Sequence, residues 1–181
     1  ILDRALTQLL ADVHWGDLDY LLLDLPPGTG DIAMSLGQKV PTAEVLVVTT
    51  PQQAASEVAE RAGTMAALMN QKIIGVVENM SWLAFTAPDT GKEYRIDLFG
   101  SGGGQEAADA LSKRLGTEVP LLAQVPMDIE LRKGGDEGDP IVTAHPESPA
   151  AQAIVELAKN LDSRPRGLSG MHLGVSPTNN A

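Results

Sequence analysis

From Tyr20 to Leu25 the chain is aromatic or aliphatic except at Asp24, and the run ends in Pro26-Pro27-Gly28-Thr29-Gly30-Asp31. A segment of this kind reads as a parallel strand covered on both faces, which restricts the fold to a sheet flanked by helices. An isolated buried carboxylate is costly, so Asp24 is expected where the strand exits, at the carboxyl edge at which open α/β sheets bind ligands. Pro26-Pro27 stiffens that exit, while Gly28 and Gly30 let backbone amides approach an anion without a Cβ in the way. Asp31 can cap the helix that follows. A strand, a turn and a capped helix without any ligand is the plainer reading of the same residues.

The rest of the chain repeats the alternation of strand and helix. Ile1, Leu2, Ala5, Leu6, Leu9, Leu10 and Val13 give one apolar helical face, and residues 31–39 read as a short helix. Strands are predicted over 44–50, 72–77 and 119–125, and helices over 52–70, 104–115 and 148–161. Parallel βαβ units follow, in a doubly wound, mostly parallel α/β sheet whose strands all point their carboxyl ends toward one edge. Asp24, Thr50 and Asn79 are expected to share that edge. Between Trp82 and Phe99 the signals weaken around Pro88-Asp89-Thr90-Gly91, which predicts an inserted hairpin. One domain is expected over 1–164, followed by a disordered tail over 165–181, where Gly, Ser, Pro and Asn occur without periodicity.

Composition narrows the class. With 181 residues, 43% hydrophobic and 20% charged, the chain has material for one soluble globular core. A net charge of −11 argues against an electrostatic grip on nucleic acid or an anionic membrane, and neither is an expected partner. No apolar run is long enough to span a bilayer and no signal core is visible, so a cytoplasmic location is expected. The sequence contains no cysteine, which removes disulfides and thiolate metal ligands together.

The stretch DLPPGTGD resembles the second-switch segment of the Mrp/ApbC family of P-loop ATPases, relatives of MinD. The resemblance continues in family order through Val48-Thr49-Thr50-Pro51-Gln52, Val77-Glu78-Asn79-Met80-Ser81, Phe99-Gly100-Ser101-Gly102-Gly103-Gly104, Val125-Pro126-Met127-Asp128 and residues 135–142. It implies a MinD-like P-loop NTPase fold, ATP and Mg²⁺ as ligands, and iron-sulfur cluster carriage by a nucleotide-gated homodimer serving iron-sulfur client proteins. Asp24 then corresponds to the residue that holds Mg²⁺ through a water, and Gly28 to the one whose amide senses the γ-phosphate. These two are the catalytic candidates. Thr29, Asn79 and Pro126 are the nucleotide-binding candidates. Asn79 matches a position whose amide reads adenine, and Pro126 lies where relatives lay a loop against the base. An Asn ending a strand in a turn is the alternative for Asn79.

Two departures from the family pattern matter. The chain opens on Ile1 without the family's glycine-rich phosphate loop, so it reads as the carboxyl-terminal part of an ATPase and is expected to be inactive alone. The family's Cys-Pro-x-Cys-Gly is replaced by Ala87-Pro88-Asp89-Thr90-Gly91, which keeps the turn but loses the thiolates that usually hold such clusters. Little or no cluster is expected there. Trp82, Leu83, Phe85, Ile96, Leu98 and Phe99 offer either a dimer surface or core packing. A non-catalytic interaction module derived from the ATPase and not binding nucleotide is the competing reading. A MinD-like positioning role would need a membrane-binding amphipathic end, which the polar tail does not offer. Gly102-Gly103-Gly104 lacks the Lys-Ser or Lys-Thr of a phosphate loop and reads as a flexible start to a helix. His14, His145 and His172 have no metal-ligand spacing, and packing suffices to explain Met65 and Met69.

Overall fold

The structure, a computed structural model, describes residues 2–25 and 30–164. Helix α1 (Leu2–Ala11) and helix α2 (Gly30–Lys39) precede strand β1 (Val45–Thr49), helix α3 (Gln53–Leu68) and the long strand β2 (Ile73–Thr86). Strand β3 (Glu93–Ile96), helix α4 (Gly103–Leu115), strand β4 (Leu121–Met127), helix α5 (Ile129–Glu137), the short helix α6 (Ile141–Ala144) and helix α7 (Pro149–Asp162) complete the described chain.

Strand β2 is the axis of the sheet. β1 runs parallel along one side of it, with Val47 opposite Val76, and β4 runs parallel along the other, with Ala123 opposite Val77. Helices α3 and α4 cover one face, where Val47, Ala66, Ile73, Val76, Ala107, Ala108, Leu111 and Val119 form a buried cluster. Val77, Val125, Ile141, Ala150 and Ala151 form the second cluster on the opposite face, beneath α6 and α7. Both crossovers, β1-α3-β2 and β2-α4-β4, advance in the same direction across the sheet with their helices on the same face, as a single handedness requires. The doubly wound, mostly parallel arrangement expected from the sequence is therefore the observed one.

Small residues set how closely the layers approach. A Cβ on Gly63 in α3 would lie 2.0 Å from the Leu111 side chain of α4, and one on Gly75 in β2 would lie 2.5 Å from Leu122. Helix ends are fixed locally. Asp128 accepts from the Glu130 and Leu131 amides to start α5, and the Ser148 hydroxyl accepts from Ala151 N to start α7, with Pro149 in its first turn.

Beyond its parallel part, β2 continues into an antiparallel pairing with β3, in register from Leu83 opposite Ile96 to Thr86 opposite Glu93. The expected hairpin exists, with its turn at Pro88–Thr90. Its strand, however, is continuous with the central one, where the sequence suggested separate pieces. Helices α5 and α6 also were not anticipated. Met80 at φ 57° marks an irregularity along β2. Opposite it, β4 advances from Val125 to Met127 while β2 advances from Asn79 to Leu83. Such a bulge leaves ladder groups unpaired, and Pro126, which has no N–H to give, sits opposite it.

The segment Tyr20–Leu25 corrects the sequence reading. It is not a strand, and none of its side chains is buried: Leu22 is 88% exposed and Leu21 43%. A strand needs a ladder partner for its amides and carbonyls, and among the described residues no strand pairs with this run or with the outer edge of β1. Its first residue is tied down instead, the Tyr20 hydroxyl donating to Asp162 Oδ1 at 2.5 Å at the end of α7. The expected tail over 165–181 lies outside the described residues.

Candidate functional site at the carboxyl edge of the sheet

Where the three parallel strands end, a polar row crosses an otherwise aliphatic sheet. Thr49 of β1 stands opposite Glu78 of β2, and Glu78 stands opposite Gln124 of β4. Glu78 is 1% exposed and Thr49 is 6%. A carboxylate so far from water needs strong donors on both oxygens. Glu78 Oε2 accepts from the Gly104 amide at 2.7 Å, and Oε1 accepts from Gln124 Nε2 at 2.7 Å.

The amide that reaches Glu78 belongs to the first turn of α4, whose free N–H groups and dipole favour an anion. That explains the three glycines. Gly102 adopts φ 89°, a Cβ on Gly103 would lie 2.4 Å from the Pro51 carbonyl oxygen, and one on Gly104 would lie 2.6 Å from Glu78 Cβ. The run is thus a place of close approach rather than of looseness. It does not act as a phosphate loop, because its helix end already holds a protein carboxylate.

Asn79 follows at the bulge, half-buried and opposite Val125. Its Oδ1 accepts from the Met80 amide at 2.8 Å, and the Ser81 hydroxyl donates to the Glu78 carbonyl at 2.9 Å. The turn-forming alternative for Asn79 is therefore realised by its oxygen. The same bond directs the amide: Oδ1 keeps a second lone pair and Nδ2 keeps its donors, a pairing suited to the edge of a purine. Pro126 lies next to Val125 and is buried inside β4 rather than on a loop; the chain leaves the strand at Met127 and enters α5 through Asp128. The structure therefore brings Asn79 and Pro126 together at one point of the edge, with Thr50 and Pro51 leaving β1 beside the start of α4.

The other candidates are not placed at this point. Asp24 is exposed on irregular backbone, and Gly28 and Thr29 lie outside the described residues. Asp31 falls inside the first turn of α2 rather than ahead of it. Sequence reasoning missed Glu78 and Gln124 as partners. An acid within a Val-rich run, followed 26 residues later by consecutive glycines that open a helix, was the available signal.

The hairpin presents its aromatic residues outward. Phe85 and Tyr94 stack at 5.3 Å, the Arg95 guanidinium lies 4.0 Å from the Trp82 ring centroid, and Phe85, Tyr94, Ile96 and Leu98 are each at least 40% exposed. These residues make a surface rather than a core. At its tip Ala87 N donates to the Lys92 carbonyl at 2.9 Å and Gly91 N to the Ala87 carbonyl at 2.8 Å, so the turn is closed by backbone bonds. Ala87 and Thr90 supply no soft ligand, and among the described residues no group of three or more His, Cys, Asp or Glu side chains is placed to hold a metal ion.

Comparison with known proteins agrees with this geometry. The model of the family described as ParA, NUBPL iron-transfer P-loop NTPase, matches residues 1–162. The iron-sulfur cluster carrier protein of Mycobacterium leprae is 54% identical over 178 residues, which are 98% of this chain and 45% of that protein. Its counterpart in Deinococcus radiodurans is 48% identical over 161 residues, covering 89% and 43%. This chain thus spans less than half the length of these curated relatives. Among solved structures, a nucleotide-binding protein of Archaeoglobus fulgidus in complex with ADP superposes with a TM-score of 0.58 at 36% identity, covering 76% of this chain and 53% of that one. The septum site-determining protein MinD of Pyrococcus horikoshii with Mg-ADP gives 0.61 at 26% identity, covering 96% and 59%. By sequence over nearly its whole length and by fold, the chain belongs to the NUBPL-type iron-transfer P-loop NTPases.

Proposed function

We propose that this chain forms the base-reading and switch-bearing part of a nucleotide-dependent, ATP-hydrolysing carrier of iron-sulfur clusters that works in the cytoplasm. The observation that carries the reading is Asn79, held at the carboxyl edge by its own bond to Met80 with its amide nitrogen still available. Asn79 reads adenine and Pro126 packs behind it. The segment from Asp24 to Thr29 supplies the response to phosphate: the Asp24 carboxylate, exposed to water, fits a magnesium ion that keeps most of its own waters, and Gly28 offers an amide without a side chain. Names of the similar proteins support the cargo and the nucleotide alike.

The cluster is cargo, and this hairpin does not fit it, since neither Ala87 nor Thr90 can act as a thiolate. The exposed aromatic face of the hairpin is the surface for a second copy in a homodimer or for an iron-sulfur client protein. That same face favours the second reading, a non-catalytic interaction module that docks through the hairpin and binds no nucleotide. Calorimetric titration of ADP with Mg²⁺ into the full-length protein separates the two. The nucleotide reading expects saturable binding, weakened about tenfold or more by Asn79→Ala through loss of uncharged but buried polar contacts. Absence of binding to the wild-type protein would favour the module.

A further inference from the structure

Glu78 is a buried acid that the reading above does not use, and its position gives it a task. The chain leaves its ladder with β1 at Glu78, runs out through the hairpin, and comes back against the end of β2 at the start of α4. The bond from Gly104 N to Glu78 Oε2, spanning 26 residues, closes the base of that excursion. The other oxygen, through Gln124, ties the same point to β4. Its own carbonyl is held by the Ser81 hydroxyl at 2.9 Å. Asn79 therefore starts from a residue clamped on three sides.

We propose that Glu78 is a positioning residue, a clasp that holds both feet of the hairpin together and thereby fixes the direction in which Asn79 presents its amide to a purine nucleotide. The positioning half of this proposal rests on the nucleotide reading, whereas the clasp itself does not. A displacement of the hairpin by a docked protein would act on Asn79 through this carboxylate, because Oε2 holds the returning segment at Gly104, Oε1 holds β4 at Gln124, and Asn79 is the next residue along the chain. Coupling of this kind is carried by a contiguous hydrogen-bonded network. Shape at the site leaves little slack: a Cβ on Gly104 would stand 2.9 Å from Glu78 Oε2.

The experiment uses the full-length protein as wild type, Glu78→Leu, Glu78→Gln and Gln124→Leu. Two readouts are taken: amide hydrogen exchange over 82–106, with the β1 and α7 segments as internal controls, and the affinities for ADP and GDP. Glu78→Leu is expected to speed exchange in the hairpin and first turn of α4 at least about tenfold while β1 and α7 keep their protection, since two charge-assisted bonds are lost. It is also expected to lower the preference for ADP over GDP by a similar factor. Glu78→Gln should stay within about threefold of wild type in both, because the Gln124 amide can turn to accept from the introduced amide while Gly104 keeps its acceptor. Gln124→Leu removes one donor only and should fall between, and it answers the question if Glu78→Leu does not fold. Unchanged hairpin exchange in Glu78→Leu, or in Gln124→Leu where the first fails to fold, overturns the clasp. Faster exchange with an unchanged ADP preference overturns the positioning role. A wild-type protein that does not prefer ADP overturns the reading of Asn79 and the positioning role with it, while the exchange data still decide the clasp.

Discussion

Replacing Gly63 by Ala tests the packing that brings α3 and α4 onto the sheet, because two effects of opposite sign compete there. Within a helix, Ala is favoured over Gly by about 0.8–1 kcal/mol. Against that, the new Cβ would lie 2.0 Å from Leu111 Cδ2 and 3.2 Å from Ile73 Cδ1. Leu111 is fully buried and closely surrounded, so it has nowhere to turn without disturbing Val76, Ala107 and Val119. Overpacking a filled core costs about 1–3 kcal/mol. The net expectation is destabilisation of about 1 kcal/mol. Leu111→Ala alone leaves a cavity and should cost about 2–5 kcal/mol. In the double substitution the methyl introduced at position 63 enters the space vacated by the leucine, so the double mutant should be more stable than the sum of the singles by about 1–2 kcal/mol, within the range seen for residues in contact. Urea unfolding followed by circular dichroism gives all four stabilities. A Gly63→Ala protein stabilised by the full helix-propensity gain, with no coupling to Leu111, would refute the close approach of the two helices.

Two further outcomes concern function. Asp24→Asn in the full-length protein is expected to lower the ATP hydrolysis rate about a hundredfold, the scale of losing one preorganised electrostatic group, while leaving stability within about 0.5 kcal/mol because the carboxylate is exposed; an unaltered rate would remove Asp24 from the chemistry. Anaerobic iron and sulfide reconstitution of this chain, read by absorbance and iron analysis, is expected to give little or no cluster, whereas Ala87→Cys combined with Thr90→Cys supplies two thiolates at the closed turn and should give a measurable gain in bound iron. Stoichiometric cluster on the unaltered chain would contradict the assignment of the hairpin as a surface without ligands.

What could be read from the sequence followed local periodicity. The Ile-Ile-Gly-Val-Val that opens β2 declared itself because both of its faces are covered, so no polar residue interrupts it, whereas the Val-Leu-Val-Val of β1 was legible from its β-branched and aliphatic content although Val48 is 62% exposed. Helices α3, α4 and α7 were legible from their helix formers and amphipathic spacing. The leucine-rich run at 20–25 misled for the same reason that made it conspicuous: apolar content measures what a segment can bury, while becoming a strand depends on neighbours that supply ladder bonds. Helix α5 was hidden by its own composition, with Gly134 and Gly135 in its body and no buried residue on it. At the site, Asn79 and Pro126 could be named from the family motifs, but not their meeting across a bulge. That depends on Met80 at positive φ and on a missing proline N–H, which only the pairing of β2 with β4 makes visible. The partnership of Glu78 with Gly104 joins residues far apart in sequence, and no local pattern announces it.

In the proposed reading, the end of β2 at Asn79 is where this chain meets a purine nucleotide. A crystal structure of the full-length protein with ADP and Mg²⁺ tests it most directly. The expected result is the adenine edge within hydrogen-bond distance of the Asn79 amide, with Pro126 beside the ring and Glu78 still joined to Gly104 and Gln124. Adenine bound elsewhere, with the Asn79 amide turned to protein or solvent, would contradict it.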